Sequence, residues 1–267
     1  SPRWINGLPK ACSSMVGWTP DGSAGGGASL RKPWPPCWQP EVSEMRRHDL
    51  AYVRPGAAVR FHCGIADEEL SARVMGWIVR GRPLVVARQV AGSDALLLGL
   101  TLPATSEGRR RVGCFVKRAD VLGVRAPLGI RDCLGRLGES VAAPLAALDR
   151  RLAEHRIQVG VYGSLAWETL SGLEYRHVGS DVDLICDIRS AEQMRECLAA
   201  LSEAAASVSC GLDGEIRFPD GCAVAWRELA AAQDKPDMQV LVKGEVDVGM
   251  LPISVLMAQF EEEILHV

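Results

Sequence analysis

The stretch VYGSLAW (161–167), followed by GSDVDL (179–184), decides the reading of this chain. In the first, a hydrophobic strand ends at Gly163-Ser164 and a helix begins at once. Glycine lets the backbone turn sharply and lets a ligand approach closely. The free amides of a helix start, with the Ser164 hydroxyl, offer a place for phosphate oxygens. In the second, Asp181 and Asp183 stand two residues apart on a predicted strand, so both carboxylates face one way, about 7 Å apart. Val182, Leu184 and Ile185 are expected on the core-facing side. Two such carboxylates repel each other unless a cation lies between them. An oxygen-only donor set, with no Cys or His beside it, suits Mg²⁺ rather than zinc. Gly163, Ser164 and Ser180 are therefore candidate substrate-binding residues, and Asp181 and Asp183 candidate catalytic metal ligands.

Outward from these motifs the chain alternates. IQVGVYG (157–163), DVDLICDI (181–188), EIRF (215–218), CAVAW (222–226) and two segments of MQVLVKGEVDVGML (238–251) read as strands. Between them, helices are predicted at 138–156, from 165, and at 191–205, 226–232 and 253–265. Leu145, Leu148 and Leu152 fall on one side of the first of these. Upstream, DEELSARVMGWIVRG (67–81) places Leu70, Val74, Trp77 and Ile78 on one helical face, with acids in its first turn. LVVAR (84–88), ALLLGLTL (95–102) and VGCFV (112–116) read as strands, with a turn at 106–108. This order predicts an α/β (α+β) protein with a partly antiparallel sheet. A smaller basic α+β domain is expected over 45–130 and a catalytic domain over 131–267. Thirteen of residues 1–44 are Gly or Pro, so that stretch is expected to be a disordered or non-native leader. Met45, opening MRRHDLAYV, is the expected true start.

The net charge of −3 is a cancellation. Residues 45–150 carry 17 basic and 10 acidic side chains, whereas residues 151–267 carry 9 and 20. A uniformly basic nucleic-acid coat and a uniformly acidic disordered chain are both excluded. No run approaches 18 uninterrupted apolar residues, so no membrane partner is expected. Nine cysteines without a CxxC pair are expected to be free thiols of a reducing, cytoplasmic compartment.

The combination of Gly163-Ser164 with GSDVDL resembles the signature of the DNA polymerase β-like nucleotidyltransferase superfamily. The gap from Ser164 to Asp181 is longer than usual there, which implies a longer helix or loop at 171–178. The resemblance implies a third carboxylate on a neighbouring strand. Glu215, in EIRF, is the first choice and Asp247, in EVDVG, the alternative. A closer resemblance covers most of the chain from Met45. RPLVVAR, YGSLAWETLSGLEY, VGSDVDLICDI and GEIRFPDGCAVAWREL are similar to the malonate decarboxylase holo-acyl-carrier-protein synthases, also called phosphoribosyl-dephospho-CoA transferases.

That family attaches the phosphoribosyl-dephospho-CoA prosthetic group to a serine of the acyl carrier subunit of malonate decarboxylase. The donor is triphosphoribosyl-dephospho-CoA and diphosphate is released. The resemblance implies that Asp181 and Asp183 hold Mg²⁺. It implies that Glu215 or Asp247 holds a metal or takes the serine proton, and that Gly163 and Ser164 cradle the β- and γ-phosphates. The alternative is another nucleotidyltransferase, using ATP on a small molecule, RNA or protein. A silent binding module is a third reading, weakened by the retained glycine, serine and aspartates. Arg109, Arg110 and Arg111, extended by Lys117 and Arg118, suit an acidic carrier or the donor phosphates; a solvated face is the plainer reading. Trp77, Trp167 and Trp226 are expected in the core.

Overall fold

A computed structural model describes residues 45–62, 68–103, 110–177 and 179–262. The leader, the 106–108 turn and Arg109 lie outside the described residues. Among the described residues two six-stranded sheets form, each with its own apolar core. The mixed α/β character expected from the alternation of elements is what the structure has.

The first sheet uses β1 (Leu50–Val53), β2 (Val59–Phe61), β3 (Leu84–Val86), β4 (Ala95–Thr101), β5 (Arg111–Lys117) and β6 (Val121–Arg125). Its order is β2-β5-β4-β3-β1-β6, and every pairing is antiparallel. On β5, buried Val112, Cys114 and Val116 alternate with more exposed neighbours, the period of a half-buried strand. Helix α1 (Glu68–Val79) buries Leu70, Val74, Trp77 and Ile78, the four residues that the sequence places on one face. β1, β2 and β6 carry no comparable signal in the sequence, because each is short and lacks a clean alternation.

A short helix α2 (Ile130–Cys133) leads into α3 (Glu139–Glu154), whose buried side is Leu145, Leu148 and Leu152. The second sheet follows. It comprises β7 (Gln158–Tyr162), β8 (Val182–Asp187), β9 (Leu212–Arg217), β10 (Ala223–Ala225), β11 (Gln239–Lys243) and β12 (Val248–Pro252). Its order is β12-β11-β10-β9-β8-β7. Only β8 and β9 pair in parallel, joined by the crossover helix α5 (Ala191–Ser207) that a parallel pair requires. The Ser190 hydroxyl caps α5 by accepting from the Gln193 N–H at 3.1 Å. Helices α4 (Gly163–Ser171), α6 (Trp226–Ala232) and α7 (Ile253–Glu262) complete the layer.

Trp77, Trp167 and Trp226 are all buried, as expected of core residues. Trp167, on α4, leaves the core of its own sheet for that of the other. Its ring meets Trp77 edge-on, with centroids 5.5 Å apart. Arg82 reinforces this seam by donating to the Ser171 carbonyl at 2.8 Å. The six cysteines among the described residues are all free thiols. No helix among the described residues is long and apolar enough to cross a membrane.

Candidate active site

The site grows from the end of β7. Tyr162 pairs across the strands with Asp183, and Gly163 follows with φ +70°. A β-carbon at Gly163 would strike the Asp183 carboxylate. Glycine is thus required twice over, by its left-handed backbone and by the close approach of Asp183. Gly163→Ala is expected to destabilise the protein by at least about 1–2 kcal/mol from the backbone alone, measurable as a lowered midpoint in thermal or urea unfolding. α4 begins at Gly163 itself, with Tyr162 as its cap residue, so Ser164 lies inside the first turn rather than capping it. Ser164 is buried there.

The long gap before the aspartates is a loop, not extra helix. α4 ends at Ser171 and is capped by Gly172, whose φ is +77°. The buried Glu168 then ties the loop down. Its Oε1 accepts from the Tyr175 and Arg176 N–H groups at 3.0 Å each, and its Oε2 accepts from Arg176 Nε at 2.7 Å. Ser180 shapes the same loop: its hydroxyl accepts from the His177 N–H at 2.9 Å. A contact between Ser180 and substrate would have to compete with that bond.

Asp181 falls one residue ahead of β8 and is exposed; Asp183 lies on the strand and is half-buried. Val182, Leu184 and Cys186 enter the core between and beyond them. Ile185 does not share that side, as the sequence reading had it. Strand alternation turns it to the Asp183 face, where it pairs with Gly160 and is buried outside the main cluster. The Asp181 carboxylate lies against Gly211, where a β-carbon would collide with it. Each aspartate therefore has a glycine beside it.

The parallel pairing of β8 with β9 brings two more carboxylates to this face. Asp213 is in register with Asp183, and Glu215 with Ile185. Glu215 is only 6% exposed and is heavily partnered. It accepts from Arg47 Nη2, and from Lys243 Nζ at 2.8 Å. His48 Nε2 stands 3.6 Å from its Oε2, too far for a hydrogen bond. Burial opposes ionisation of Glu215, but the His48, Arg47 and Lys243 side chains around it outweigh burial and hold its carboxyl well below the usual range. An acid so depressed is a poor proton acceptor, so the base role considered for Glu215 has no support in this geometry. Asp247 is placed elsewhere. It sits in the β11–β12 hairpin, with β9 and β10 between it and β8. That hairpin follows Lys243, which is level with Ala223 and hence with Arg217, at the far end from Asp183.

The residues that sequence reasoning missed come from the segment 46–49. Arg217 donates to Asp187 Oδ1 at 2.6 Å and to the Arg47 carbonyl at 3.0 Å. The Arg47 N–H donates to Glu245 at 3.1 Å. His48 stacks on Tyr162. Burial, ahead of any charge, lowers the His48 imidazole below its ordinary value and leaves it neutral at pH 7. Burial likewise raises the Tyr162 phenol, helped by the carboxylates of Glu215, Asp183 and Asp213. No local motif marks Arg47 or His48. Asp213 was available from the alternation of Asp213, Glu215 and Arg217 along β9.

Of the basic patch, Arg110 and Arg111 are exposed at the start of β5. Arg111 pairs with Thr101, whose carbonyl accepts from the Tyr175 hydroxyl at 3.1 Å. This links the arginines to the loop that leads into Asp181. Lys117 and Arg118 do not extend the patch, because they follow at the opposite end of β5, about 20 Å along a seven-residue strand.

Mg²⁺ suits the donors present. Asp181 and Asp183 offer only carboxylate oxygen, each in a place kept open by a glycine. Among the described residues no three His, Cys, Asp or Glu side chains come together as a cage that could hold a metal ion. Mg²⁺ commonly binds through one or two carboxylates completed by substrate phosphates rather than within such a cage.

The fold is mixed α/β, and the comparisons with known proteins place the chain in the transferase class of enzymes. The chain belongs to the phosphoribosyl-dephospho-CoA transferase family: residues 46–127 match the Phosphoribosyl-dephospho-CoA transferase MdcG N-terminal domain and residues 129–252 its C-terminal domain. Curated relatives bear the name phosphoribosyl-dephospho-CoA transferase. One from Xanthomonas axonopodis pv. citri is 34% identical over 213 residues, 79% of this chain and 95% of the relative. Another, from Xanthomonas euvesicatoria pv. vesicatoria, is 36% identical over 214 residues, again 79% and 95%. A third, from Bradyrhizobium diazoefficiens, is 32% identical over 187 residues, 68% and 81%. No solved structure matches the chain.

Proposed function

We propose that this protein transfers the phosphoribosyl-dephospho-CoA group from triphosphoribosyl-dephospho-CoA to a serine of the apo acyl carrier subunit of malonate decarboxylase. The observation that carries the reading is the Gly163 turn set against Asp183, in a chain of this family. The serine oxygen forms a bond to the α-phosphorus, the bond from that phosphorus to the departing diphosphate breaks, and the serine proton passes to solvent water. The site is read as one of the nucleotidyltransferase type.

In this reading the amides that open α4 hold the β- and γ-phosphates, with Ser164 beside them. Asp181 and Asp183 hold Mg²⁺, and Asp213, in register with Asp183, is the nearest further carboxylate on β9. Bound there, Mg²⁺ would neutralise phosphate charge and polarise the phosphoryl oxygens. Glu215 keeps its place on the same face but is neutralised by Arg47 and Lys243. It therefore secures the segment 46–49 over the sheet rather than taking the serine proton. Most of the rate gain then comes from positioning and charge neutralisation, since little covalent work is left for protein side chains.

The deciding experiment mixes the protein, Mg²⁺, triphosphoribosyl-dephospho-CoA and apo-carrier. A mass gain of one prosthetic group on the carrier serine is the expected result. Labelling of a substrate with AMP from ATP, without any carrier gain, would favour the other nucleotidyltransferase reading instead.

Arg110 and Arg111, with Arg109, are proposed to meet the carrier or the donor phosphates. Replacing Arg110 and Arg111 by Gln is expected to raise the carrier KM about three- to tenfold at low salt, and less at high salt, since exposed charges are screened within about 10 Å at 0.1 M. An unchanged KM at low salt would remove the patch from the substrate path.

A further inference from the structure

The stack of His48 on Tyr162 lies at the root of the site and has no part in the chemistry described so far. The two ring centroids are 4.0 Å apart, with 27° between the planes. Tyr162 pairs with Asp183 across the strands and directly precedes Gly163. His48 belongs to the other sheet's side of the molecule, since its N–H donates to the Val86 carbonyl of β3 at 3.0 Å. Its backbone has φ +73°. Histidine visits that region more readily than most residues, but the conformation still costs energy and persists only where the surroundings impose it. Those surroundings include Arg47, which precedes His48 and is bound to Glu215. The His48 Nε2 is buried and stands 3.6 Å from Glu215 Oε2, beyond hydrogen-bond reach, so the imidazole is held by that ion-pair-range contact together with its stack on Tyr162 and its fixed backbone.

We propose that His48 is a positioning residue for the transfer reaction. It acts through Tyr162 to hold the Gly163 turn and the Asp183 carboxylate in register. The inference rests on the reading of Gly163 and Asp183 as the site. It makes the segment before β1 part of the active centre without giving it a contact to substrate. Displacing a reacting group by about 1 Å can cost about a hundredfold in rate, and a ring stacked on the residue before the turn limits such displacement.

The test uses the full chain with three substitutions. His48→Asn removes the ring but keeps a residue that tolerates positive φ. His48→Phe keeps a ring and removes both nitrogens. Asp183→Ala checks the underlying reading. Transfer to apo-carrier gives kcat and the donor KM. The ¹³C resonances of labelled tyrosine, with Tyr162 assigned through Tyr162→Phe, report the stack independently of activity.

His48→Asn is expected to lower kcat about tenfold, leave the donor KM within about twofold, and shift the Tyr162 resonance. His48→Phe is expected to keep kcat within about threefold of wild type. Wild-type kcat with an unmoved Tyr162 resonance in His48→Asn overturns the inference. So does a loss in His48→Phe as large as that in His48→Asn. Should His48→Asn fail to fold, His48→Phe decides alone: near-wild-type kcat supports the inference and a tenfold loss overturns it. Asp183→Ala separates the two levels. If it transfers like wild type, the site reading fails and the inference with it. If it is inactive while His48→Asn behaves as wild type, only the inference fails.

Discussion

Replacing Asp183 by Ala is expected to lower transfer to the carrier by at least about a thousandfold, and Asp181→Ala by a similar factor. Losing a metal-bridged phosphoryl interaction removes several kcal/mol of transition-state stabilisation, and each 1.36 kcal/mol is a factor of ten. The fold should survive the change. Asp181 is exposed, and surface substitutions of this kind usually stay within about 0.5 kcal/mol. In a protein of this size that corresponds to about 1–2 °C in Tm. Asp183 is half-buried at the edge of the site beside Gly163, and truncating it shortens a partly exposed polar side chain rather than opening a core cavity. Carrier labelling followed by mass spectrometry, with Tm measured on the same samples, checks both halves of the expectation. Either variant retaining near-wild-type labelling overturns the assignment of the site.

Glu215→Gln should act in a different way, by loosening the protein itself. The carboxylate sits under Arg47 and Lys243 and is almost wholly buried. Removing one partner of such a cluster leaves buried positive charge uncompensated, which costs about 3–5 kcal/mol. At about 2–4 °C per kcal/mol, the fall in Tm should lie between about 6 and 20 °C. The effect depends on pH, and its sign follows from the depressed acid. Folding stabilises the ionised form, so the contribution of Glu215 is fully present above its ordinary value of 4.5 and is lost progressively as pH falls below it. Asp49 works in the opposite direction. Its burial raises it from 3.8 to about 6, so ionising it weakens the fold as pH rises through that window. Urea unfolding of wild type and Glu215→Gln from pH 3 to pH 7 should therefore show their difference largest above pH 5 and shrinking towards pH 3. A constant difference across that range would count against this account of the cluster.

The sequence by itself determined the parts whose physics is local. The hydrophobic strand that stops at Gly163, the helix that starts there, and the alternation that separates Asp183 from Val182 and Leu184 all depend on neighbours within a few residues. The helical faces of Leu70 to Ile78 and of Leu145 to Leu152 belong to the same class, since a 3.6-residue period needs no partner to be visible. Only the tertiary structure decided what meets across long separations. The parallel pairing of β8 with β9 sets Asp213 beside Asp183, and no spacing along the chain contains that register. The sequence offers Glu215 as a third carboxylate, and only the fold brings Arg47, 168 residues away, to bind it. His48 reaches Tyr162 because the first sheet carries the segment 46–49 over the face of the second. Lys117 and Arg118 look like neighbours of Arg111 in the sequence, yet an extended strand of seven residues carries them to the other end of the sheet.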